Sequence, residues 1–469
     1  MRTIKPLTVG PIVGHTDDNH ARIWGRADFE LTASGQPRRT FGVARIRKKT
    51  TGSYSSPCFF KMNPNFDMTG LVLFKELDAD TQYIYQIGWF FSDKELNELR
   101  SSDGWDWHNA DHGEFYTASS DSNLEREFIF GSCRYLLKLF GGSWFDNRGD
   151  KTFRSIIKQV DDGRSINKLL MVGDQIYADD LNFLSPDVQV DAYLSRYREA
   201  FSQPNIKKLM GRVSTYMTLD DHEIEDNWPS NADARDMMVK YPAAMHAYQV
   251  YQMSHSSVLS IGRNGNLEGT PDRFYYRFSD GCCDFFVTDS RTERDPVEKE
   301  MMSEEQLNEL LDWLSDGSGK AKLIVTSVPF FPDTKKSNDD KWSAYRGHRD
   351  KIIDHIRTQQ IRKVIFLSGD VHCSMSAELD ISDRGEAPLK IYSIISSAFY
   401  WPYPHMKRKQ FKLTGFVASE SDEQAYTLGD VSEVYSGDNF SRVRVSNSAL
   451  EVEVFERKGD FENRIRFEF

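Results

Sequence analysis

Up to about residue 120 the chain runs in short stretches where apolar and polar residues alternate between turn-forming residues: ARIWGRADF, RTFGVARIRKK, TGLVLFKEL and TQYIYQIGWF. A period of two sends successive side chains to opposite faces, so these stretches predict strands with one buried face. Helical periodicity is scarce before residue 90. Strands without helices must cover their apolar faces with a second sheet, which predicts an antiparallel β-sandwich domain over 1–120. The polar stretch 116–127 reads as a linker.

The pattern then changes. Continuous apolar runs alternate with helical segments: EFIFGSC, KLLMVGD, VSTYMTLDD, CCDFFVTDSR, KLIVTSVPFF, KVIFLSGDVH and LKIYSIISS. Runs that are apolar on both faces suit strands covered on both sides. Leu307, Leu310, Leu311 and Leu314 recur at helical spacing, and Ser303 with Gln306 has the form of a capping box, so a helix is predicted there. Residues 121–469 are therefore expected to form one layered α/β domain, and 333–341 an exposed loop.

Composition narrows the functional classes. The net charge of −12 over 469 residues gives no general attraction to nucleic acid. Any phosphate site must be made locally positive by metal ions or arginines. Five cysteines do not form a secreted disulfide framework. The first twenty residues hold no apolar core of signal-peptide length and no twin arginine, and no run of apolar residues is long enough to span a bilayer. The expectation is a cytoplasmic protein without a membrane span, or a periplasmic one if a leader has been trimmed.

The chemistry collects where the apolar runs end. EFIFGSC ends in Cys133; KLLMVGD ends in Asp174, with Tyr177 and Asp179 beyond; VSTYMTLDD ends in Asp220 and Asp221, followed by His222 and Glu223. CCDFFVTDSR ends in Asp289 and Arg291, and KVIFLSGD in Asp370, followed by His372. Ligands in open α/β sheets bind outside the carboxyl ends of strands, so residues distant in sequence are expected to meet there. Carboxylates suit a pair of cations and one aspartate can bridge both. A thiolate and a phenolate favour a strongly Lewis-acidic ion such as ferric iron. A two-metal site clamps the attacking and leaving oxygens of a phosphoryl displacement and supplies a metal-bound hydroxide. His222 can donate the proton that the leaving alkoxide needs.

The motifs GSC, GDQIYAD, DDHE, TDSR and GDVH, in that order, resemble the alkaline phosphatase D (PhoD-like) family of the calcineurin-like metallophosphoesterases. Its iron site is similar to that of purple acid phosphatases. GPIVGHTDDNHARIWGRA resembles the start of the family's N-terminal β-sandwich. The resemblance implies a two-sheet α/β/β/α core and hydrolysis of phosphate monoesters or diesters. It implies Cys133, Asp174, Tyr177 and His372 around ferric iron, Asp174 as bridge, and Asp221 with Asp370 around a second ion, calcium. His222 and Arg291 would face the phosphate. Metallophosphoesterases commonly carry Asn where Asp221 stands, which raises Asn227 as an alternative ligand. They also carry a second His where Asp370 stands, which favours a harder, oxygen-ligated second ion.

Other readings are open. Arg291 can simply pair with Asp289 or Asp295. Cys282 and Cys283 adjoin on a strand, so they are expected to face opposite ways and to be core, as is Cys373. KWSAYRGHRD, which holds Tyr345, Arg346, His348 and Arg349, resembles a family segment near the substrate entrance or is a loop leading into a helix. Trp144, Trp228 and Trp401 either line the pocket or pack. Two rival functions remain: a phospholipase-like phosphodiesterase on the same site, and a catalytically silent metal-binding protein. The partner expected is a small phosphate ester.

Overall fold

Two sheets face each other across the main core, and their parallel strands all point to one edge. The computed structural model describes residues 2–469 except 37, 137, 140–143, 146, 164, 180–187, 263–266, 270, 337–339, 383–386 and 420–424, and only the backbone of 138, 139, 144 and 145. Trp144 thus lies outside the described side chains.

In the first sheet the strands Ser214–Thr218, Ile166–Val172 and Arg126–Arg134 run parallel, and Asn439–Val445, Ala449–Glu456 and Phe461–Glu468 continue it antiparallel. Ser397–Tyr400 also pairs, in parallel, with the end of Arg126–Arg134. The second sheet has Cys283–Val287, Ala321–Val325, Val364–Ser368 and Lys390–Ile395 as its parallel centre, with antiparallel strands on both sides. Every continuous apolar run named above overlaps one of these strands. Phe128, Phe130, Leu170, Phe285, Leu323 and Ile365 fill the space between the sheets, with Phe128 edge-on to Phe285. Each such side chain contributes roughly 2 kcal/mol by leaving water.

Helices cover the outer faces. Glu304–Leu314 starts where Ser303 Oγ accepts from the amide of Gln306 at 3.2 Å. The reciprocal half of the expected capping box is made by another residue: Glu293 accepts from the amide of Ser303 at 3.2 Å. The Gln306 side chain instead grips the main chain of Asp289, accepting from its amide at 2.9 Å and donating to its carbonyl at 3.0 Å. The helix start thereby fixes the loop that carries Arg291. Among the described residues no helix is long and apolar enough to cross a membrane.

The N-terminal strands pair among themselves. Val9–Thr16, Ala21–Arg26 and Thr69–Phe74 form one sheet, and Cys58–Lys61, Thr40–Lys48, Gln82–Phe91 and Asp111–Tyr116 another, over a core that includes Val13, Ile23, Val72, Tyr85 and Phe115. Trp24 and Leu71 reach into the main core, where Trp24 packs on Tyr251 at 5.4 Å. Asp67 ties the junction, accepting from Arg26 (3.1 Å), Arg198 (2.8 Å) and Tyr251 (2.5 Å).

Two local expectations need correction. The loop 333–341 turns inward at its end, where Asp340 and Lys341 are buried or nearly so, because both are drawn to charges at the sheet edge. Cys282 lies in the turn before the strand, not on it, so its Sγ comes within 3.8 Å of Cys283 Sγ; both are core.

Candidate metal centre

Register brings the ends of the parallel strands level. Phe130 pairs with Leu170, and Leu170 with Tyr216. Beyond that row the amide of Cys133 donates to the carbonyl of Gly173 at 3.1 Å, and that of Arg134 to Asp174 at 2.9 Å. Two glycines make the close approach possible. Gly173 has φ +104°, and a Cβ there would lie 2.5 Å from Asp220 Cβ; a Cβ on Gly369 would overlap Ser132 Oγ.

The residues carrying the chemistry have unusual backbones. Cys133, Asp174, Asp370 and His372 have φ of +55°, +55°, +66° and +49°, in the left-handed region that non-glycine residues seldom occupy. Each such conformation costs on the order of 1–3 kcal/mol and persists only where its surroundings enforce it, which is common at functional sites.

The side chains converge in two overlapping groups. Donor atoms of Cys133, Asp174 and His372 lie within 4.8 Å of one another, and so do those of Asp174, Asp221 and His222. Asp174 belongs to both, the position a bridging carboxylate occupies. Cys133 Sγ and Tyr177 Oη contact the same oxygen, Asp174 Oδ2, at 3.2 and 3.1 Å. Ser397 Oγ donates to Cys133 Sγ (3.1 Å) and accepts from the amide of His372 (3.1 Å), locking two donors together. Ser132 Oγ accepts from the amide of Asp370 at 3.2 Å.

The polar groups left over fit cations. Asp174 Oδ1, Asp221 Oδ1 and His372 Nε2 are buried without a hydrogen-bond partner among the described residues. Burial, followed by the nearby His222 and His405, pushes His372 down to about 3, so its imidazole is neutral and its nitrogen is free to ligate. Burial pushes Cys133 and Asp174 well above their ordinary ranges, and the acids around them push further. Asp370 rises to about 7 through burial, with Lys341 working against it. So many acids in one buried place need positive charge brought from outside.

His222 is held through Nδ1, which donates to Asp179 Oδ1 at 2.9 Å, with its ring 4.4 Å from that of Tyr177. Burial lowers its pKa, but Asp221, Asp174 and Asp179 together raise it well above the usual value. The acids beside it take different parts. Glu223 accepts from the amides of Asp174 (3.2 Å), Gln175 (2.6 Å) and Asp220 (2.9 Å), clamping two motif loops together. Asp220 pairs with Arg291.

Arg291 is placed differently from the expected phosphate contact. It is fully buried, its guanidinium bonded to Asp220, to Asp340 and to the Trp228 carbonyl (2.9 Å), with Nη2 3.5 Å from Asp221 Oδ1. The physical reason is the excess of acid behind the edge, which needs a resident cation. Asp370 reaches the edge, but its carboxylate is engaged by Lys341. Asn227 turns its side chain to Asp226 (2.7 Å) and gives its amide to Asp221 Oδ2 (2.6 Å). Tyr345, His348 and Arg349 are buried around the start of the helix Arg346–Thr358, with Arg349 bonded to Asp333 at 2.6 Å. Arg346 belongs to the same helix. Trp228 is core.

The sequence left Trp401 open between lining the pocket and packing, and it singled out none of the other members that follow. Trp401 stacks on His372 at 3.8 Å and 15°, and Tyr135 and Tyr403 complete an aromatic wall against Trp401 at 5.4 and 5.0 Å. Ser397 ends the run LKIYSIISS and Lys341 opens the segment KWSAYRGHRD, but neither was singled out. Tyr135, two residues past Cys133, carried a similar positional hint.

Comparison with known proteins agrees with this architecture. The family model described as PhoD-like phosphatase matches residues 137–399, more than half of the chain. Alkaline phosphatase D of Bacillus subtilis (strain 168) is 26% identical over 222 residues, 41% of this chain and 37% of that protein, so the match spans little more than a third of that relative. A solved structure of PhoD superposes with a TM-score of 0.73 at 14% identity, covering 99% of this chain and 89% of the other. The purple acid phosphatase PPD1 from yellow lupin (Lupinus luteus) seeds gives 0.62 at 11% identity, covering 98% and 74%. At such identities these two likenesses establish the fold, a metallophosphoesterase-type α/β architecture. The extent of the family match, on a chain that folds this way, makes it a member of the PhoD-like phosphatase family.

Proposed function

We propose that the chain is a metal-dependent phosphoric ester hydrolase working at a two-cation site. One observation carries this reading: Asp174 stands in both groups of converging donors, and buried acceptors in each have no hydrogen-bond partner among the described residues. Cys133, Tyr177, Asp174 and His372 would hold ferric iron, since a thiolate and a phenolate favour it. Asp221, with Asp174 and Asp370, would hold a second, oxygen-ligated ion, calcium in this reading. The two ions would supply Lewis-acid charge for the phosphoryl group and an activated water.

The chain's own residues then divide the remaining work. Asp179 holds Nδ1 of His222, leaving Nε2 to donate a proton to the departing alkoxide. Arg291 acts as a positioning residue that holds Asp221 and neutralises the acids behind it. The Tyr135–Trp401–Tyr403 wall offers an apolar rest for the alcohol portion. Elemental analysis of the natively purified protein, with a panel of monoesters and diesters and its visible spectrum, tests the whole reading. Expected are bound iron with a charge-transfer band, a second metal, and hydrolysis with inversion at a chiral phosphorothioate. A metal-replete protein inert towards every activated ester would instead favour a silent metal-binding protein. A colourless, iron-free and fully active protein would remove the iron.

A further inference from the structure

We propose that a lysine-lined cavity beside Asp370 and His372 is a subsite for a second anionic group on the substrate, a phosphate close to the scissile one. This rests on the hydrolase reading above. The cavity measures about 460 Å³, within the range of small-ligand sites, and its lining includes Thr334, Lys335, Lys336, Lys341, Lys409 and Gln410, with Asp370 and His372 on one side. Among the described lining residues four lysines stand against one carboxylate, a local reversal in a chain of net charge −12.

Three of the lysines are available. The described acids of the same loop are engaged elsewhere: Asp333 by Arg349 at 2.6 Å, and Asp340 by Arg291, Arg294 and Lys341. Among the described residues no carboxylate pairs with Lys335, Lys336 or Lys409. Lys341, the fourth, reaches Asp370 and so sits between the cavity and the metal edge.

The lysines are also held in register with the metal edge. Thr334 bridges to Phe411, the amide of Lys335 donates to the Gln410 carbonyl at 2.7 Å, and that of Lys412 to Asp333 at 2.9 Å. The second of these paired segments is fastened to the site itself, where His405 Nδ1 donates to the carbonyl of His372 at 2.9 Å. Ammonium groups act as compact point charges that take phosphate without demanding one orientation. They suit an anion whose position is already set by an ester bound next door. The substrate class is therefore an ester bearing a further phosphate, either a small bisphosphate or a stretch of phosphodiester chain.

The test uses the metal-loaded full-length protein with two arms. One compares α,ω-alkanediol bisphosphates with the matching monophosphates, and the other compares the dinucleotide pTpT with TpT. The kcat/KM ratio of the more to the less charged partner should be about tenfold or greater in at least one arm, and that arm identifies the source. The ratio should fall towards one in the combined variant Lys335→Gln, Lys336→Gln, Lys409→Gln, and when salt is raised from about 20 to about 300 mM. Calorimetry with 1,3-propanediyl bisphosphonate against propylphosphonate gives a second readout, in which the advantage of the bisphosphonate should disappear in the same variant. Esters hydrolysed without discrimination, or discrimination that survives the three substitutions, would overturn the subsite alone. A wild-type protein that hydrolyses no ester would bring down the hydrolase reading and this inference with it.

Discussion

The two ends of the first sheet both bury acid, and they do so in opposite ways. At the amino end Asp280 is fully enclosed and fully answered. It accepts from Arg126 Nε (2.7 Å), from Lys168, from the amide of Ser119 (2.8 Å) and from Asn167 (3.2 Å). At the carboxyl end Asp174 and His372 keep buried atoms with no hydrogen-bond partner among the described residues, and Asp221 Oδ1 has only Arg291 Nη2 at 3.5 Å. The same strands carry both clusters: Arg126 begins the strand that ends near Cys133, and Lys168 sits in the strand that leads to Asp174. A buried charge that the protein neutralises itself is a structural device. A buried cluster that the protein leaves incomplete anticipates cations from outside.

Substitutions can break this contrast at either end. The largest effect is expected for Asp174→Asn, which replaces one carboxylate oxygen by an NH2 group and removes the charge that a bridging ligand needs. Both metals should be lost and turnover should fall by about 10³-fold or more, comparable to losses at other central catalytic groups, read by elemental analysis and ester hydrolysis while circular dichroism stays native. Normal metal content would end the bridging assignment. At the opposite end Asp280→Asn should leave activity per folded molecule unchanged and cost about 3–5 kcal/mol of stability, because Arg126 and Lys168 lose their buried counter-charge. Chemical denaturation measures it.

The same pair sharpens with pH. Burial would raise the pKa of Asp280, but Lys168 and Arg126 outweigh it and hold it below its ordinary value. A carboxylate with a depressed folded pKa contributes its full stability above the unfolded value, about 3.9. That contribution is lost as pH falls through the folded one. Wild-type stability should therefore drop more steeply than that of Asp280→Asn as pH falls below about 4; parallel curves would contradict the assignment.

Next in size is His222→Ala, expected to keep metal content and lower turnover by about 10²-fold, most for esters of poorly acidic alcohols. Metal loss in that variant would turn His222 into a ligand. The smallest effect belongs to Trp401→Ala. An aromatic stacking contact contributes about 1 kcal/mol, so removing the ring under His372 should weaken metal binding about fivefold by competition with a chelator, without unfolding.

Much of this was legible in the chain itself. The apolar runs declared the parallel strands because residues covered on both faces must be apolar throughout, and five of those runs announced their endings with Cys133, Asp174, Asp221, Arg291 and Asp370. Those endings meet because parallel strands share a direction, a property of local pattern plus topology. What the sequence could not decide is which charges cancel. Arg291 looked like a phosphate contact and became a buried counter-ion to Asp220 and Asp340. Ser397, Trp401 and Lys341 could not be assigned to the edge, since each joins it from a segment far away in sequence. Strand periodicity is written between neighbours along the chain, whereas pairing of charge and stacking of rings depend on distances that only the closed fold sets.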